Sequence, residues 1–131
     1  LDTIPADAKL VIIPDAGSNQ YDEHKALYER GVDVLVLDHH EAEQVSEYAC
    51  VINNQLSNYP NKSLSGVGVV YKFCQYLDKL LNKSYADDLL DLVAIGIISD
   101  MMDIKNFETK EIIDLGLTHF KNEFLKAFAE S

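Results

Sequence analysis

The sequence predicts an α/β fold: a mostly parallel sheet flanked by helices on both faces. Three observations lead there. Two apolar runs, Leu10-Val11-Ile12-Ile13 and Val34-Leu35-Val36-Leu37, lack polar alternation, as strands buried on both faces do. Between them lies a helical stretch that stops at Gly31, so strand, helix and strand make a βαβ unit. Most of the chain after Ser65 carries apolar residues at spacings of three and four.

At 131 residues the chain reads as one domain, long enough to bury roughly two-thirds of its unfolded surface. Cys50 and Cys74 stand far apart and form no metal-like pair, which fits two ordinary buried thiols in a reducing, cytoplasmic compartment. No apolar run approaches the roughly 20 residues of a membrane span, and the N-terminus lacks the layout of a signal peptide. The start at Leu1 suggests a piece of a longer chain. A net charge of −11 repels a phosphate backbone, so any polyanionic substrate must be met through metal ions or basic parts elsewhere.

In chain order, the first strand (9–14) ends at Asp15, and Asp15-Ala16-Gly17-Ser18-Asn19 is turn chemistry. Ser18 or Asn19 is placed to cap a helix with Asp22 and Glu23 in its first turn, running to about Arg30. His24 on that helix, like His119 later, lies among charged residues and reads as a surface side chain. The second strand (34–38) breaks into Asp38-His39-His40. Because a βαβ unit is right-handed, both strand ends meet on one edge, where α/β proteins place their chemistry. Residues 41–47 read as a short helical turn, residues 49–53 as a third strand, and residues 54–64 as a long loop.

Ser65 opens a clear helix with Val67, Val70, Tyr71, Cys74, Leu77 and Leu81 on one face. Gly66 and Gly68 in its first turn admit two readings, close backbone packing or a phosphate site at the helix N-terminus made with Ser65. Ser84 would cap the next helix, whose early acids Asp87, Asp88 and Asp91 read as solvated partners of the dipole. The run 92–98 fits helix better than strand because it continues that segment with good helix formers. Beyond Asn106, Ile112, Ile113, Gly116, Leu117, Phe120, Phe124, Leu125 and Phe128 read as one apolar helical face, the aromatics serving as core.

Asp15, His39 and Asp100 each end an apolar element, and carboxylates with imidazole suit a Mn²⁺- or Mg²⁺-class site better than a thiolate zinc site. The chain resembles the DHH phosphoesterase superfamily in Ile13-Pro14-Asp15-Ala16-Gly17-Ser18, Leu37-Asp38-His39-His40 and Gly96-Ile97-Ile98-Ser99-Asp100. Leu64-Ser65-Gly66-Val67-Gly68-Val69-Val70-Tyr71-Lys72-Phe73 is similar to the RecJ-like single-strand-specific exonucleases of that superfamily. The resemblance implies phosphodiester hydrolysis by water activated between two metal ions, usually Mn²⁺, on single-stranded nucleic acid. It implies that Asp15 bridges both metals, that His39 and Asp100 complete the second site, that His40 contacts the phosphate, and that Asp38 supports them from behind.

One departure counts against completeness. The superfamily's first motif ends a strand in Asp-x-Asp, and no Asp-x-Asp occurs in these residues. Its C-terminal substrate-binding domain is also missing. The expectation is a partial DHH domain over residues 1–131, inactive by itself, whose open sheet edge or face could pair with a second copy. Two alternatives to the nuclease remain: an inactive DHH-like binding or scaffold module, and an oligonucleotide or cyclic-dinucleotide phosphodiesterase.

Overall fold

A computed structural model describes residue 1, residues 3–118 and residues 120–130. It resolves two compact units, Leu1–Lys62 and Ser63–Ser131. In the first, both apolar runs are strands: β1 (Leu10–Pro14) and β2 (Asp33–Asp38) flank helix α1 (Tyr21–Glu29), and β3 (Cys50–Asn53) follows. The three pair in parallel in the order β1-β2-β3, with Ile13 opposite Val36 and Val36 opposite Val51.

Period-two alternation sends Val34 and Val36 to the same face, where they meet Leu27 of α1, with Val11, Ile13 and Val51 packed around them. Burial of a side chain such as Leu27 or Val36 contributes about 1.5–3 kcal/mol, so this small cluster fixes the register of all three strands. Helix α1 stops where expected, with Gly31 at φ +71°.

Its start differs from expectation. Gln20 is the N-cap and no side chain caps the helix. Ser18 is drawn away because its backbone N–H and its hydroxyl are both taken up by strand-end residues. Residues 41–47 form bends and irregular chain, not a helical turn, and Gln44 is held there by hydrogen bonds with the Tyr21 hydroxyl. Cys50 is exposed and Cys74 half-buried, both as free thiols, so only Cys74 approaches the expected buried state. No helix among the described residues is long and apolar enough to cross a membrane.

The second unit contains α2 (Gly66–Leu81), a 3-10 turn (Ala86–Leu89), α3 (Leu90–Ser99), α4 (Phe107–Thr118) and α5 (Glu123–Ala129). Ser65 caps α2, accepting from the Gly68 N–H. The run 92–98 is helical as expected. Helices α3 and α4 approach so closely that a Cβ on Gly116 would lie 2.5 Å from the Leu90 carbonyl oxygen and from Ala94 Cβ.

Ser84 caps nothing; the Asp78 carboxylate accepts the Ala86 N–H at 2.6 Å instead. Asp91 is not solvated either. It is buried, and it accepts the N–H groups of Lys121 and Asn122 at 2.7 Å each, fastening the start of α5. Leu77 and Leu81, expected on the buried face of α2, are exposed. Phe124 and Phe128 are also exposed and stack on one another, because α5 is a separate short helix rather than a continuation of the amphipathic face of α4.

His24 overturns the surface reading outright, being wholly buried beside Leu27 on the inner side of α1. Neither ring nitrogen has a hydrogen-bond partner among the described residues. His119 lies outside the described residues. Burial pushes the His24 imidazole below its ordinary value of 6.5, against a smaller opposing effect of Glu23. Above about pH 6.5 neither the folded nor the unfolded chain protonates this ring, and its contribution to stability is complete. As pH falls below that value only the unfolded chain takes up the proton, so stability should drop by up to about 1.4 kcal/mol per pH unit until the folded ring also titrates. Urea denaturation between pH 7.5 and 5.5 should show this loss, and His24→Leu should flatten it; an unchanged slope would assign the acid sensitivity to another group.

Candidate metal centre

Parallel pairing of Pro14 with Leu37 brings the residues after β1 beside those that end β2. The Asp15 N–H continues the ladder by one bond, donating to the Leu37 carbonyl at 2.8 Å. Asp15 then turns into the left-handed region at φ +58°, a conformation costly to a residue with a Cβ. Gly17 follows at φ +104°, and a Cβ there would sit 3.1 Å from Ile13 Cγ2. The loop therefore folds tightly back on β1, and the Asp15 carboxylate projects into solvent.

The other half of the site hangs on Asp38, whose side chain is 1% exposed. Its Oδ2 accepts the Ser18 N–H at 3.0 Å. Its Oδ1 accepts the backbone N–H groups of His39 and His40, at 2.8 and 3.3 Å, and pairs with His40 Nδ1 at 2.7 Å. Burial alone would push this carboxyl up, but the hydrogen bonds from His40, Ser18 and His39 hold it well below the usual carboxylate range. An ionised carboxylate accepts only, so His40 carries its proton on Nδ1 and turns Nε2 outward.

His39 meets the other carboxylate: its side chain is 10% exposed, with Nε2 3.3 Å from Asp15 Oδ1. The two imidazoles lie 4.5 Å apart, centre to centre. One donor atom each from Asp15, His39 and His40 falls within 4.8 Å of the other two. That donor set fits a hard or borderline divalent cation, and the buried carboxylate behind His40 is the usual device for orienting an imidazole at such a site. An open cleft of about 450 Å³ adjoins it, lined by residues 16–20, Asp38, His40 and Glu41.

The structure thus brings together Asp15, Asp38, His39 and His40 within the first unit. Asp100 caps the carboxyl end of α3 in the second unit. Ser65, Gly66 and Gly68 are buried, and a Cβ on Gly68 would lie 2.5 Å from the Leu64 side chain, which is the close-packing alternative for these glycines. Two residues not singled out for the site, Ser18 and Asn53, complete the network around Asp38. The available signal was positional: Asn53 is a polar residue ending an apolar strand, as Asp38 is.

Comparison with known proteins extends these observations. The model of the DHH family, N-terminal domain, matches residues 1–97. The chain is 56% identical over 127 residues to YorK of Bacillus subtilis, named as an SPbeta prophage-derived single-strand DNA-specific exonuclease, covering 96% of this chain and 22% of YorK. It is 35% identical over 115 residues to the single-stranded-DNA-specific exonuclease RecJ of the same organism, covering 86% of this chain and 14% of RecJ. It superposes on a crystal structure of exonuclease RecJ bound to manganese with a TM-score of 0.76 at 25% identity, over 84% of this chain and 28% of that one. The chain therefore spans about a fifth or less of the length of these curated relatives.

Asp38→Asn keeps the shape of the buried side chain but turns an N–H₂ group toward one of its backbone donors. It should destabilise the fold by about 1.5–3 kcal/mol, the range for hydrogen bonds to charged groups. Urea denaturation at neutral pH measures this, and a loss below about 0.5 kcal/mol would mean that the carboxylate is not the anchor described.

Proposed function

The chain belongs to the DHH family, and on that premise we propose that its protein is a metal-dependent phosphodiesterase, a RecJ-like exonuclease acting on single-stranded DNA. The observation that carries this reading is the convergence of Asp15, His39 and His40 at the carboxyl ends of adjacent parallel strands. Sequence relatives named as single-strand DNA exonucleases support the choice of substrate, and manganese in a structural relative supports the choice of Mn²⁺, with Mg²⁺ as the chemically similar alternative.

In this reading Asp15 and His39 hold a cation, and Asp100 is assigned as a further ligand by its place in the Gly96–Asp100 motif. The chemistry such a cation supplies is activation of water and neutralisation of charge on the phosphoryl oxygens. His40 contacts the phosphate through Nε2, since Nδ1 is committed to Asp38. Asp38 touches no substrate. It positions the His40 ring by accepting from Nδ1, which leaves Nε2 as the ring atom presented to the phosphate.

The net charge of −11 assigns attraction of DNA to the cations and to basic surface elsewhere in the protein. Loss of a residue that only orients a metal ligand typically costs about 10–100-fold. Asp15→Ala, His39→Ala and Asp100→Ala in the full-length protein should therefore each lower Mn²⁺-dependent hydrolysis by more than about 100-fold, with circular dichroism unchanged. Near-normal turnover in both aspartate variants would overturn the site assignment. Parallel assays on long single strands, short oligonucleotides and cyclic dinucleotides separate the exonuclease from the small-substrate phosphodiesterase, and no hydrolysis of any substrate would identify a binding module.

A further inference from the structure

Asn53, the last residue of β3, has a side chain buried to 2% exposure and no place in the motifs that define the site. Its Nδ2 donates to two acceptors, Ser18 Oγ at 2.8 Å and the His40 carbonyl at 2.9 Å. Its Oδ1 accepts the Gln55 N–H at 2.7 Å. The amide orientation follows from chemistry: a flipped side chain would set oxygen against the His40 carbonyl and N–H₂ against a backbone N–H.

These bonds close a circuit. Asn53 holds Ser18, the Ser18 N–H holds Asp38 Oδ2, Asp38 Oδ1 holds the His40 ring, and the His40 carbonyl returns to Asn53. His40 is thereby fixed at two points, its imidazole through Asp38 and its backbone through Asn53. The circuit joins three adjacent strand ends, with Asn53 opposite Asp38 in the ladder. Every polar atom of the Asn53 side chain is used, and no other residue type of that size supplies two donors and one acceptor.

We infer that Asn53 is a positioning residue for the reaction: by bridging Ser18 and the His40 carbonyl it sets the direction in which His40 Nε2 faces the phosphate. The inference rests on the reading of Asp15, His39 and His40 as the reactive centre. Asn53→Asp is the discriminating change, because it preserves shape while replacing the donor pair with oxygen and setting a second carboxylate beside Asp38. Asn53→Ala removes all three bonds.

The test uses the full-length protein in three measurements: thermal unfolding, imidazole ¹⁵N–¹H spectra of His40 without metal, and kcat and KM on single-stranded DNA with Mn²⁺. The expected result is a kcat lowered by about 10–100-fold with KM within about threefold and the fold intact, while the His40 spectrum loses its fixed Nδ1–H tautomer. An unmoved His40 spectrum, or a kcat that falls only with the folded fraction, would overturn the inference. If neither variant folds, Asn53 is an architectural residue and the inference fails as well. Asp15→Ala serves as the control: if it keeps activity, the reading of the centre is wrong, whereas if it abolishes activity and Asn53→Asp does not, only the role of Asn53 is wrong.

Discussion

The buried Asp38 carboxylate is the interaction on which the rest of the first unit depends. Moving an ionised carboxylate out of water costs several kcal/mol unless its lone pairs are met. Here they are met by three backbone N–H groups and one imidazole. Three of these donors belong to the two residues that follow Asp38, so the chain must turn sharply at the end of β2, and the His39 and His40 rings lie side by side, 4.5 Å apart. The fourth belongs to Ser18, which ties the loop after β1 to the same anion. One desolvated charge thus fixes where both histidines point and where the loop carrying Asp15 sits.

Backbone conformation supplies the remaining constraint. Asp15 and Gly17 both have positive φ, and a side chain on Gly17 would crowd Ile13 Cγ2 at 3.1 Å. The shape of the loop sets the exposed Asp15 carboxylate 3.3 Å from His39 Nε2. Strain in a non-glycine residue is sustained only where neighbours over-determine it, and the Asp15 N–H bond to Leu37 does so here.

How much of this was legible follows from the range of the interactions. The strands at 10–14, 33–38 and 50–53 and the stop at Gly31 are local signals, apolar runs and a left-handed glycine, and they are found within a residue or so of expectation. Asp15, Asp38, His39 and His40 were legible because each follows the last residue of a strand or ends one. What was not legible is what tertiary competition decides. Ser18 has the chemistry of an N-cap, yet Asn53 and Asp38 outbid the helix for it. Asp91 resembles a solvated first-turn acid, and only the distant N–H groups of Lys121 and Asn122 draw it inside. His24 is flanked by charges in sequence, but a helix turns each neighbour about 100° away, so Glu23 and Lys25 are exposed while His24 faces inward.

Charge and geometry divide the labour at the site. Among the described residues most of the acids are exposed, and together they make a field that repels a phosphate backbone. Asp38 differs in being spent on protein N–H groups, leaving it little capacity to bind a cation itself. Asp15, 61% exposed, retains the lone pairs that a hard cation prefers. The two carboxylates therefore separate by environment, one saturated with protein donors and the other open to solvent. His39 and His40 follow that division, His39 lying against the exposed carboxylate and His40 against the buried one, so adjacent identical residues carry different chemistry because each is held by a different acid.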